Sequence, residues 1–137
     1  MASQPIKPIS FGYSNILKTL YKTDKLPIKK GIYGGILTKN NVTLEHIRPH
    51  SKKGATALHN LVLATRENNE KRGNAPLSEF YNKEKAREYF EQFVDLVIPY
   101  KDGGKKQKYF NGNQYILDAT NSINRELLNE HRLDLIV

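Results

Sequence analysis

The longest unbroken apolar run in this chain is four residues, Leu61–Ala64. A membrane-spanning helix needs about 20, so no span is expected. Any core has to be assembled from short, patterned elements contributed by distant parts of the chain. The 137 residues amount to one domain. Apolar residues make up 38%, below the usual ~45–50% but enough for a single core. Cysteine is absent, which excludes disulfides and any thiolate metal site. Residues 1–10 contain Pro5 and Pro8 and no apolar stretch, so they do not read as a secretory signal. The expectation is an intracellular, cytoplasmic protein.

The charge is uneven. The formal net charge is +8. Residues 1–40 carry seven basic and one acidic side chain, and residues 41–76 carry six and three. Residues 77–110 carry seven and six, and residues 111–137 carry two and four. A basic first half on a near-neutral second half suits a polyanionic partner. The short run Lys105-Lys106-Gln107-Lys108 follows Asp102-Gly103-Gly104 and reads as a solvated loop.

Residues 1–13 read as a flexible lead-in. From Ser14 onward, Ile16, Leu17, Leu20 and Tyr21 fall on one helical face. Val42-Thr43-Leu44-Glu45-His46-Ile47 suits a strand ended by Pro49, and Leu61–Ala64 a second. Between them lies a polar loop with Gly54 in its middle. Thr65 is a credible cap for a helix from Arg66 that ends near Gly73. Two further helices are predicted, over 79–97 and 114–129, the second capped by Asn113. The first carries the stripe Phe80, Tyr81, Tyr89, Phe90, Phe93, Val94 and Val97.

The informative stretch is 44–73: Leu44-Glu45-His46-Ile47-Arg48-Pro49-His50-Ser51, a loop with Gly54, Asn60-Leu61-Val62-Leu63-Ala64, then Asn68-Asn69 and Lys71-Arg72-Gly73. It resembles the HNH endonucleases, the ββα-metal family. Their pattern runs acidic residue–His–Ile–x–Pro–x–Ser, a glycine-containing loop, Asn–Leu–Val–x–Leu, then His or Asn before a basic residue and Gly. The resemblance implies an α+β domain with a ββα-metal core over 31–76, flanked by the N-terminal helix and two C-terminal helices. Hydrolysing a phosphodiester needs a base for water and a cation for the phosphate. His46 is the base candidate, because imidazole titrates near neutral pH. Glu45 and Asn69 offer hard oxygens to Mg²⁺, Mn²⁺ or another divalent cation. By resemblance, Asn60 belongs to the catalytic set as the residue that braces the hairpin. Arg48, Lys52, Lys53, Lys71 and Arg72 are candidates for contacts to DNA phosphates. His50 and His59 flank the motif as substrate-facing or surface residues.

Many HNH domains hold a structural zinc on two Cys-x-x-Cys pairs. Here those places fall on Gly31 and Gly34, and on Thr65 and Asn68, so no structural zinc is expected. The resulting expectation is a divalent-metal-dependent endonuclease acting on DNA, free-standing and of phage or mobile-element type. No membrane partner is expected, and a homodimer is an open option. Its rivals are an inactive HNH-fold DNA-binding module and a structure-selective or RNA-directed nuclease.

Overall fold

The computed structural model describes residues 16–102 and 106–136; the lead-in expected over 1–13 lies outside them. Helix α1 (Ile16–Lys22) buries Ile16, Leu17, Leu20 and Tyr21, the stripe that its spacing predicts. Strands β1 (Val42–His46) and β2 (Leu61–Thr65) pair antiparallel, with Glu45 opposite Val62 and His46 opposite Leu61. Helix α2 (Arg66–Arg72) comes directly after β2. The Thr65 hydroxyl accepts from Asn68 N at 3.2 Å, and Gly73, at φ 51°, ends the helix. The loop between the strands contains two short 3-10 turns, His50–Lys52 and Leu58–Asn60. A Cβ at Gly54 would collide with the Arg48 carbonyl, so the loop closes this tightly only on glycine.

A two-stranded sheet has two open edges, and each must find partners. Alternation in an antiparallel pair turns the Leu44 and His46 carbonyls away from β2. Side chains of α2 take both: Asn69 Nδ2 donates to Leu44 O at 3.0 Å, and Arg72 Nη1 donates to His46 O at 2.7 Å. On the β2 edge, Ile32 N donates to Leu63 O at 2.9 Å. Two buried tyrosines complete that edge. Leu63 N donates to the Tyr89 hydroxyl at 2.9 Å, and the Tyr115 hydroxyl donates to Leu61 O at 2.8 Å. The two hydroxyls lie 2.9 Å apart. Helices outside the HNH-like segment therefore finish its sheet.

The C-terminal part departs from the all-helical expectation. Helix α3 is shorter than predicted (Lys83–Glu91), with the Asn82 side chain accepting from Lys85 N at 3.0 Å. The Gln92 side chain leaves the helix face and accepts from the backbone of Lys29 and Lys30, both at 2.9 Å. Asp95 then takes a left-handed φ of 59°, and a helix cannot pass through it. Val94 and Val97, expected on the buried stripe, are exposed.

Next comes a hairpin that replaces the expected helix end and loop: β3 (Val97–Asp102) paired antiparallel with β4 (Lys106–Asn111). Helix α4 (Gly112–Asn129) starts two residues before its predicted start and is capped by Asn111, which accepts from Gln114 N at 3.0 Å. Asn113, the expected cap, binds Asp95 instead. Tyr89, Phe90, Phe93, Phe110 and Tyr115 form one aromatic cluster under β2.

The two turns where the resemblance puts cysteine pairs pack on each other. Asn68 Nδ2 donates to Gly34 O at 3.4 Å, and a Cβ at Gly35 would meet Thr65 Cγ2 at 3.1 Å. A direct hydrogen bond joins them, and the Thr65 methyl takes up the space beside Gly35 that a side chain would need.

Candidate active site

Glu45 is 4% exposed. Such a carboxylate needs partners, and it has two: the Tyr33 hydroxyl donates to Oε2 at 2.7 Å, and Arg72 Nη1 approaches the same oxygen at 3.1 Å. Burial pushes the Glu45 carboxyl above its ordinary 4.5, against the pull of Tyr33 and Arg72. The Tyr33 hydroxyl, raised far above 10.0 by burial and by the adjacent carboxylate, stays protonated and donates. Both partners converge on Oε2 and leave Oε1 out of the pairing.

Arg72, read from the sequence as a phosphate contact, is not at the surface: it is 2% exposed. Its guanidinium is consumed internally. Besides Glu45, it donates to Tyr33 Oη at 3.1 Å, His46 O at 2.7 Å, Ile47 O at 2.9 Å and Ala75 O at 3.0 Å. A cation with every donor group engaged this way is part of the scaffold. The expectation of a DNA contact through Arg72 is corrected.

His46 is the next residue along β1, and strand alternation turns it to the opposite face from Glu45. It is partly exposed. Its Nε2 lies 3.1 Å from the Thr56 hydroxyl, and the His50 ring stands edge-on with centroids 5.9 Å apart. Partial burial first, then the charges of His50 and Arg72, hold the imidazole below its usual 6.5. When Thr56 accepts from Nε2–H, Nδ1 is the nitrogen with a lone pair to take a proton.

Asn60 holds the loop that carries Thr56. Oδ1 accepts from Arg48 N at 2.9 Å, while Nδ2 donates to Arg48 O at 3.1 Å and Ala55 O at 2.8 Å. All its side-chain polar atoms are used, so its work is to tie together the two ends of the 48–55 segment. Asn69 is anchored through one end only. Its amide donates to Thr43 Oγ1 at 2.9 Å and to Leu44 O, which leaves Oδ1 as the free end.

The remaining candidate cations differ in their freedom. Lys52 and Lys53 are exposed beside the loop. Lys71 is exposed and 3.7 Å from Glu67. Arg48 is tethered to Glu126 of α4 at 3.0 Å and to Lys52 O at 3.0 Å. His59 is at the surface. Sequence reasoning missed Tyr33, Thr56 and Glu126. Tyr33 and Thr56 lie within the motif's span but carry no spacing signal, and Glu126 is 78 positions from Arg48.

The described residues contain no group of three or more His, Cys, Asp or Glu able to enclose a metal. Asn69 Oδ1 and the second oxygen of Glu45 are hard donors. Oxygens of this kind suit a hard cation such as Mg²⁺, which keeps water and phosphate oxygens in its shell.

Residues 30–76 match the family model of the HNH endonucleases. No curated protein and no solved structure matches the chain.

Proposed function

With residues 30–76 matched to the HNH endonuclease family, we propose that this protein hydrolyses DNA phosphodiester bonds with His46 as general base. The supporting observation is the state of the His46 ring: partly exposed, held at Nε2 by Thr56, and favoured in its neutral form at pH 7. A neutral imidazole accepts the proton of an attacking water, and its rigid seat aims that lone pair. Asn60 keeps the loop closed so that Thr56 stays on the ring. Tyr33 and Arg72 fix the Glu45 carboxylate in one orientation. A divalent cation such as Mg²⁺ or Mn²⁺, held by Asn69 Oδ1 and Glu45, would neutralise charge on the phosphate and the departing oxygen. Lys52, Lys53 and Lys71 supply positive charge around the substrate.

A second reading is a DNA-binding module without cleavage, favoured by the Glu45 carboxylate already being neutralised by Arg72. Nicking of supercoiled plasmid, with and without Mg²⁺, separates the two. The wild-type chain is expected to nick only with the metal, and His46→Ala to lose a factor of ~10² or more in rate while still binding DNA. A His46→Ala protein cutting at the wild-type rate would eliminate this mechanism.

A further inference from the structure

The β3–β4 hairpin is unlike the rest of the C-terminal half. Residues 97–111 hold four lysines and one aspartate, whereas the remainder of 77–137 holds five basic and nine acidic residues. The ribbon is thus the basic part of an otherwise acidic C-terminal half. Its root is fixed: Ile98 and Phe110 pair across the strands and are buried. The Phe110 ring lies 6.1 Å from Phe93 and 5.7 Å from Tyr115 between centroids.

Beyond the root Tyr100 still packs against the core, and the ribbon opens to solvent on its other face and towards its tip. Pro99, Lys101, Lys106 and Gln107 are exposed, and Tyr109 is 62% exposed, with its hydroxyl accepting from Gln107 Nε2 at 3.0 Å. Alternation puts Lys101 on the face of Pro99 and Tyr109, and Lys106 on the opposite face. Lysines on both faces of a narrow projection have little use on a flat surface. In a groove they meet phosphates on both walls.

We propose that the β3–β4 ribbon is a second duplex-DNA contact, lying in a groove beside the cleavage point, with Lys101 and Lys106 on the phosphates and Gln107 and Tyr109 towards the base edges. The dimensions agree. Six residues per strand span about 20 Å, and two strands lie about 4.8 Å apart. The major groove, about 12 Å wide, admits such a ribbon. The ribbon is also rigidly referenced to the candidate site. Tyr115, against which Phe110 packs, donates to Leu61 O, and Leu61 pairs with His46. The groove contact therefore fixes where the cut falls. This inference rests on the DNA reading above.

The test is a salt titration of binding to a duplex oligonucleotide, followed by fluorescence anisotropy in EDTA so that nothing is cleaved. Lys101→Ala/Lys106→Ala is compared with the wild-type chain, with circular dichroism to establish that the fold is intact. Loss of two phosphate contacts is expected to make the slope of log K against log [salt] shallower by about 2. Hydrolysis of bis(p-nitrophenyl) phosphate, too small to reach the ribbon, is expected to be unchanged. Gln107→Ala/Tyr109→Ala should redistribute the cut positions and leave the slope as it is. An unaltered slope and affinity in the lysine double variant would overturn the ribbon assignment and leave the nuclease reading standing. A wild-type chain inert towards DNA and the small diester, with the slope still reduced in the variant, would overturn the nuclease reading and support the ribbon.

Discussion

Arg72 turns its whole guanidinium inward, and the consequence is a stability prediction, not a binding one. Removing it leaves the Glu45 carboxylate buried without its counter-charge and the Ile47 and Ala75 carbonyls without their donor. Arg72→Ala should cost about 3–5 kcal/mol, measured by chemical denaturation. Arg72→Lys should recover only part of it, since an ammonium cannot serve that fork of acceptors. The pH prediction concerns His46. A base whose conjugate acid is held below 6.5 is neutral at lower pH than an ordinary imidazole. The acid limb of the cleavage profile should therefore have its midpoint below 6.5. His50→Ala removes one of the depressing charges and should move that midpoint up; a bound cation near Glu45 disfavours protonation further, so the sign holds with metal present. A midpoint above 6.5 would mean that another group titrates. The adjacency of Glu45 and His46 could be read in the chain. Their opposite fates, one in a neutralised pair and one open to solvent, depend on Tyr33 and Arg72, whose contacts no spacing rule announces.

At the scale of elements, β1, β2 and α2 were legible because each carries its own local signal: β-branched alternation, a short apolar run, a threonine cap and a terminal glycine. The hairpin β3–β4 was not. Its outer face is unbacked, so apolar alternation is missing there, and Pro99 and Gly103-Gly104 read as loop signals. The covering of the β2 edge was equally hidden, since Tyr89 and Tyr115 sit on stripes that read simply as core. Tyr89→Phe keeps the ring and deletes the hydroxyl that accepts from Leu63 N. The stranded donor should cost about 1–3 kcal/mol, visible as a lower denaturation midpoint. Tyr109→Phe, on an exposed hydroxyl, should change it little.

For the whole molecule, the HNH-like segment is unfinished without the helices and hairpin of residues 77–136. The chain ending at Pro76 would lack Tyr89 and Tyr115 on the β2 edge, the aromatic cluster beneath it, and Glu126 on Arg48. Two strands and two short helices bury too little alone. That truncated chain should be unfolded or aggregated by circular dichroism and light scattering, despite containing every candidate catalytic residue. The full chain should stay folded in EDTA, because hydrogen bonds and aromatic packing hold together the turns that a zinc joins elsewhere; loss of its circular dichroism signal on chelation would contradict this. The tether from Arg48 to Glu126 has a consequence for biosynthesis as well. Translation delivers the chain from its N-terminus, so His46 and its loop leave the ribosome long before Glu126, which ties Arg48 to α4. A chain not yet extended to Glu126 carries His46 and its loop without that outer tether. On the nuclease reading, competence to cut waits for Glu126, and fragments stalled before it would leave the nucleic acid around them intact.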